Sequence, residues 1–284
     1  MQQKEELKQI TDKITGLPTL PTVITRITQL MQNPHTTADE VGKAITTDQS
    51  LASKVLKLVN SAFYGFPGRI NTITHAIVIL GFNTVKNIVL TASIFEVFGG
   101  RDSDSFDIEK FWLHSIACGA TSKTIAEHLK LKSAEECFIS GLLHDIGKLI
   151  FDQYVNEDFA KVVKAASKKN ILIKDAENEM MGVSHNEIGG WLCNKWKLPD
   201  DLRNAVQYHH SPELADDKTM TTTITHFSDV LVKALNYGSG GDNRVPQVSE
   251  YSWKKLNMNR NTLDKMLPVI DSEVDKAAVF LQIL

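Results

Sequence analysis

The sequence predicts an all-α fold in two helical lobes, and three observations carry that expectation. Apolar residues recur at helical spacing along nearly all of the 284 residues, strand-like alternation is sparse, and the breaks between periodic segments hold cap or turn residues. Taken in order, "PTVITRITQLMQN" sets Val23, Ile24, Ile27, Leu30 and Met31 on one stripe, and "TTADEVGKAIT" opens with Thr37 as a cap and Asp39 and Glu40 in its first turn. "DQSLASKVLKLVNSAF" repeats the device with Asp48 or Ser50. "ITHAIVIL" and "NTVKNIVLTASIFEVF" follow as two helices broken at Gly81-Phe82-Asn83, while Pro18, Pro21 and the turn "YGFPG" interrupt the pattern.

The polar, glycine-led stretch "GGRDSDSFD" at 99–107 marks the expected boundary, giving lobes at 1–100 and 106–284. Helical patterns resume with "IEKFWLHSIACGATSKTIAEHL", "AEECFISGLLHDIGKLIFDQY", "NEDFAKVVKAASKK", "IKDAENEMMG", "SHNEIGGWLCNKW", "PDDLRNAVQYHH" and "TTTITHFSDVLVKALNYG". "YGSGGDNRVP" reads as a loop, and the C-terminal segment reads as one or two helices around Pro268.

Composition narrows the function. Apolar residues make up 42% and charged residues 23%, as in ordinary globular proteins, and the formal net charge is −3. A protein held on phosphate backbones shows a basic surplus or a dense basic patch. Neither is present, so nucleic acid is not an expected partner. The segments 38–47 and 49–62 have the proportions of a helix-turn-helix, but Lys54 and Lys57 are too few to carry that reading. Cys118, Cys137 and Cys193 form no Cys-x-x-Cys pair, which fits reduced thiols. The polar start "MQQKEELKQI" is unlike a secretory signal, and no apolar run reaches the length of a membrane span. A soluble, cytoplasmic protein is expected.

The chemistry gathers around "GLLHDIGKLIF". Nine histidines occur, and His114, His144, His185, His209 and His210 stand in apolar or helix-end contexts. Imidazole and carboxylate together suit iron, manganese, nickel or zinc. On a continuous helix His144 and Asp145 diverge by about 100°. They can share an ion only if other helices add ligands, and His114 and Asp229 are placed to do so.

The order His114, His144-Asp145, Asp229 resembles the HD superfamily of metal-dependent phosphohydrolases, and "HDIGK" is how its HD-GYP branch writes the pair. That branch adds a His and a His-His before the last Asp, matched here by His185 and His209-His210. The N-terminal half, with "LPTLPTVITRITQLM", "LVNSAFYG" and "AIVILG", resembles the HDOD family, the HD-related output domain of bacterial signalling proteins, over roughly residues 10–280. The resemblance implies an all-helical output module and one or two divalent transition-metal ions, iron or manganese ahead of nickel or zinc. Two features depart from the HD-GYP pattern. The segment after His210, "SPELADDKTMTTTITHF", lacks Gly-Tyr-Pro, and Lys110 stands where a metal-bridging Glu is common, with Glu109 one residue off that face.

Each residue also has a plainer reading. His144-Asp145 could be a hydrogen-bonded structural pair, but five further positions matching in order favour a metal site. Lys148 fits equally a phosphate contact, were the protein an enzyme, and a lysine reaching out of a helix end. Cys118, one turn after His114, reads as a packed thiol rather than a ligand. His226 reads as a solvent-facing residue rather than an orienter of Asp229, and Trp112, Trp191, Trp196 and Phe111 read as packing around the site.

Two functions remain. The first is a signalling output module acting through protein–protein contacts, with a kinase, a cyclase or a response regulator as partner and little or no catalysis. No receiver, kinase or cyclase segment is legible, so its input is expected from another chain. The alternative is a metal-dependent phosphohydrolase of nucleotides or phosphodiesters, with Lys148 steadying charge on phosphorus.

Overall fold

The computed structural model describes residues 17–99, 106–215 and 220–283. Most of the expected boundary stretch, residues 100–105, therefore lies outside the described residues, as do residues 216–219 of the segment after His210. The fold is all-helical, with no strand among the described residues. The chain divides into two compact units, one formed by Pro18–Gly100 with Asp275–Leu284 and the other by Met1–Leu17 with Arg101–Val274.

The first unit contains α1 (Thr22–Met31), α2 (Ala38–Thr46), α3 (Gln49–Val59), α4 (Ile73–Leu80) and α5 (Phe82–Phe98). Its caps are local. Thr37 and Glu40 form a reciprocal capping box at α2, and the Asp48 carboxylate accepts the Leu51 N–H at α3. The core is built from Ile24, Ile27, Ile45, Val55, Leu58 and Ile88, all 4% exposed or less. The C-terminal 3-10 segment Ala278–Ile283 completes it: Phe280 meets Phe63 edge-on at 5.4 Å, and the Lys57 ammonium donates to the Gln282 carbonyl at 2.9 Å.

The second unit is organised on α6 (Ile108–His128), which packs against α7 (Ala134–Leu143) and α13 (Met220–Ala234). Between them run α8 (Ile146–Tyr154), α9 (Asn156–Lys169), α10 (Ile173–Met181), α11 (His185–Lys195) and α12 (Asp200–Tyr208). Then come α14 (Glu250–Lys255) and α15 (Arg260–Ala277), a single helix that runs through Pro268. Phe111, Trp112, Phe138, Phe151 and Phe159 are buried to 1% or less, so these aromatics are core, whereas Trp191 is 42% exposed.

One local expectation changes. The stretch 134–154 is not one helix: α7 ends at Leu143 and α8 starts at Ile146, leaving His144 and Asp145 in a turn. Close approach of backbones on both sides accompanies the break. A Cβ on Gly141 would press on the Cys118 carbonyl, and one on Gly147 would overlap the His185 carbonyl oxygen. The glycines of "GLLHDIGK" thus let α6 and α11 close onto the turn. None of the described helices is long and apolar enough to cross a membrane.

Gly147→Ala should force α11 away from α8. The expected loss is about 3 kcal/mol or more, at the upper end of overpacking costs. Thermal unfolding of the variant beside Thr37→Ala, where loss of a cap costs about 1 kcal/mol, measures the difference.

Candidate metal centre

The seven sequence-predicted ligand residues are brought to one buried place in the second unit. His114 comes from the middle of α6, His144 and Asp145 from the α7–α8 turn, and His185 from the first position of α11. His209 and His210 end α12, and Asp229 comes from α13. His114, His144, Asp145, His185, His209 and Asp229 are 2% exposed or less, and His210 is partly buried.

Asp145 is the hub. Its Oδ2 lies 3.2 Å from His144 Nε2 and 3.7 Å from His114 Nε2, while its Oδ1 lies 3.1 Å from His185 Nε2 and 3.6 Å from His209 Nε2. Asp229 Oδ1 stands 3.2 Å from His114 Nε2 and 3.7 Å from His144 Nε2. His185 and His210 face each other Nε2 to Nε2 at 3.0 Å. Metal–nitrogen and metal–oxygen bonds of about 2.1 Å imply edges of roughly 3.0 Å in an octahedron and 3.4 Å in a tetrahedron. The observed separations fall around those values.

The outer ring nitrogens fix the tautomers. His144 Nδ1 donates to the Gly141 carbonyl at 2.7 Å and His209 Nδ1 to the Val206 carbonyl at 2.8 Å. His185 Nδ1 lies 2.6 Å from the Glu177 carboxylate, which also accepts the His185 backbone N–H at 2.8 Å. Since a carbonyl only accepts, the proton of each neutral ring is on Nδ1 and the Nε2 lone pair points inward. Four inward atoms, His144 Nε2, Asp145 Oδ1, His209 Nε2 and Asp229 Oδ1, are buried without a hydrogen bond. Such orphaned acceptors are costly in a protein interior. A cation at their centre satisfies them, so this cluster fits a metal ion.

Charge says the same. Burial opposes ionisation of Asp145, but His144, Lys148 and His185 outweigh it and hold its carboxyl well below the usual range. Burial likewise opposes Asp229 and is overcome by Lys233 and by His114 and His144. Burial drives His209 down to about 3. It also lowers His144, where the two carboxylates more than reverse it and lift the ring to about 9. Without a metal ion the cluster therefore keeps a proton on His144.

Several other residues are placed by the structure alone. Lys148 does not meet solvent. It is fully buried, its ammonium 2.5 Å from Asp145 Oδ2, three residues earlier in the chain. Lys233 is 8% exposed and lies 3.9 Å from Asp229 and 3.6 Å from Asp242. The loop after α13 covers the cluster: Ser239 N–H donates to the Lys110 carbonyl at 3.0 Å, and a Cβ on Gly240 would sit 2.9 Å from Lys148 Nζ and 3.1 Å from Asp145 Oδ2. Glu109 is exposed and remote from bridging duty. His226 is buried rather than solvent-facing, and both its nitrogens bond backbone, Nδ1 to the His209 carbonyl and Nε2 from the Ser249 N–H. Cys118 Sγ lies 3.6 Å from His114 Nε2.

Helices far apart in the chain thus meet at one buried histidine–aspartate cluster. The chain belongs to the HDOD domain family, whose sequence profile matches residues 17–212. An uncharacterised protein of Treponema pallidum is 26% identical over 231 residues, 80% of this chain; the match spans 44% of that relative's length. An HDOD domain protein of unknown function from Geobacter sulfurreducens superposes with a TM-score of 0.80 at 25% identity, covering 96% of this chain and 98% of that one. A structure from Shewanella amazonensis, provisionally named a phosphohydrolase, matches with a TM-score of 0.74 at 22% identity over 96% of this chain and 97% of its own, a likeness of fold.

Metal uptake must expel the proton that His144 holds up to about 9. Affinity for a divalent ion should therefore fall as pH drops below 9, by at least about tenfold per unit for the proton that His144 releases. Chelator competition at pH 7, 8 and 9 reads this directly. Glu177→Gln should weaken binding by about 10–100-fold, as loss of a ligand-orienting partner does.

Proposed function

We propose that this protein is a signalling output module that acts through protein–protein contacts, and that its second unit carries a metal centre which holds that unit in shape. One observation supports this above others: the cluster is closed on its Asp145 side. The Gly238–Asp242 loop lies on it, and Lys148 occupies the carboxylate edge of Asp145, where a phosphate would have to approach. A hydrolytic centre needs an open coordination position and room for the reacting phosphorus. Here the ammonium of Lys148 is already spent on Asp145.

The first unit offers surface for a partner. On α4, Val78 is 70% exposed and Ile79 is 40% exposed, two adjacent apolar side chains. A kinase, a cyclase or a response regulator is the class of partner expected from an HDOD module. For the metal, the imidazole and carboxylate donors suit iron or manganese first, then nickel or zinc, with one or two ions.

The second reading, a metal-dependent phosphohydrolase, has its own observation. A pocket of about 340 Å³, lined by Ser184, Asn186, Tyr208 and Ser211 among others, opens beside the segments that carry His185 and His209-His210. A small phosphate ester fits such a volume.

The decisive experiment is turnover by the metal-loaded protein over nucleotides, cyclic dinucleotides and a generic phosphodiester, with iron and manganese each supplied. The expected result is no hydrolysis above the metal-only control. Hydrolysis that disappears in a folded Asp145→Ala variant would establish the second reading in its place.

A further inference from the structure

We propose that Cys118 is a metal ligand, so that His114, Cys118, His144 and Asp229 form a four-coordinate, thiolate-containing position within the centre. The inference rests on the metal reading above and deepens it. It changes the expected metal as well, from an oxygen- and nitrogen-bound ion toward one that accepts sulfur.

The geometry carries it. Cys118 follows His114 by one turn of α6, so both face the same way. Sγ, one ring nitrogen each of His114 and His144 and an Asp229 carboxylate oxygen form one buried group, every pair within 4.8 Å. With metal–sulfur and metal–nitrogen bonds of about 2.3 and 2.05 Å, a tetrahedral sulfur–nitrogen edge is roughly 3.6 Å and an octahedral one roughly 3.1 Å. The Cys118 Sγ to His114 Nε2 distance is 3.6 Å. The His114 Nε2 to Asp229 Oδ1 edge, 3.2 Å, is close to the roughly 3.3 Å of a tetrahedral nitrogen–oxygen pair. The α6–α7 contact also holds it there, since Gly141 lets α7 lie directly on the Cys118 carbonyl.

Around this position Lys148 lies on Asp145, and Lys233 lies between Asp229 and Asp242. Burial and the Asp229 and Asp145 carboxylates hold the Cys118 thiol well above its usual range, so it takes a bound ion to displace its proton. On binding, the thiol proton leaves to solvent and the sulfur electron pair forms the metal bond. Sulfur in a tetrahedral set selects zinc or iron(II) over manganese.

The test is cobalt(II) substitution of the whole protein, read by absorption. The expected result is a thiolate-to-cobalt charge-transfer band in the near ultraviolet together with intense visible bands of tetrahedral cobalt. The charge-transfer band should vanish in Cys118→Ser and persist in Cys137→Ser and Cys193→Ser. Zinc affinity of Cys118→Ser, by chelator competition, should drop at least tenfold. Bound cobalt without a thiolate band, or a band that survives in Cys118→Ser, overturns the proposal and leaves the metal reading standing. A wild-type protein that takes up neither cobalt nor zinc overturns both. Should Cys118→Ser fail to fold, zinc-edge X-ray absorption of the wild type decides: one sulfur at about 2.3 Å supports the ligand, and a shell of nitrogen and oxygen alone refutes it.

Discussion

The structure of the second unit depends on one buried carboxylate. Asp145 faces His144 and His114 with one oxygen and His185 and His209 with the other, and Lys148 caps the first. A carboxylate fully removed from water is costly unless positive charge and hydrogen bonds surround it. Satisfying it requires α6, the α7–α8 turn, α11, α12 and the turn's own lysine to arrive together. That requirement explains why so many polar side chains share the interior of a helical unit, and why small residues line their approach.

The supporting groups are arranged in two layers. Inward stand the imidazole nitrogens and carboxylate oxygens; outward stand acceptors that aim them, the Gly141 and Val206 carbonyls and Glu177. Glu177 also accepts the free N–H of His185 at the start of α11, where a negative group meets the positive end of the helix. Beyond them Lys233 and Asp242 tie the loop after α13 to the unit, and Asp242 accepts the Ile173 N–H at the start of α10. Burial lowers the affinity of Lys233 for its proton, but Asp229 and Asp242 reverse that and raise it. The loop is therefore held by charge on one side and by backbone contact with α6 on the other.

Much of this was legible before any coordinates. Caps at Thr37 and Asp48 and the stripe of Ile24 and Ile27 are local physics, and local physics is written in adjacent residues. The inward residues were legible as types in order. The turn at His144-Asp145 was not, because apolar residues run through it without a polar break and the interruption accompanies distant backbones approaching Gly141 and Gly147. Of the two readings of Lys148, burial overturns the lysine reaching out to solvent, because its ammonium pairs with Asp145 inside the unit. Glu177 left a signal that went unread. It lies on the buried stripe of α10 with Ile173 and Met181, four residues from each, where an acid has no business unless something binds it.

The closed loop and the buried lysine together bear on what kind of site this is. A catalytic ion keeps one position for water or substrate, and the protein accepts an under-satisfied cluster as the cost of reactivity. In this unit the groups around Asp145 point the other way, toward completion: an ammonium on one edge, backbone against the roof at Gly240, and a sulfur near a ring nitrogen. Each of these additions lowers the energy of the resting cluster and removes room for a reacting group. Only the side of His185 and His210 differs, where His210 is incompletely buried and a polar pocket adjoins.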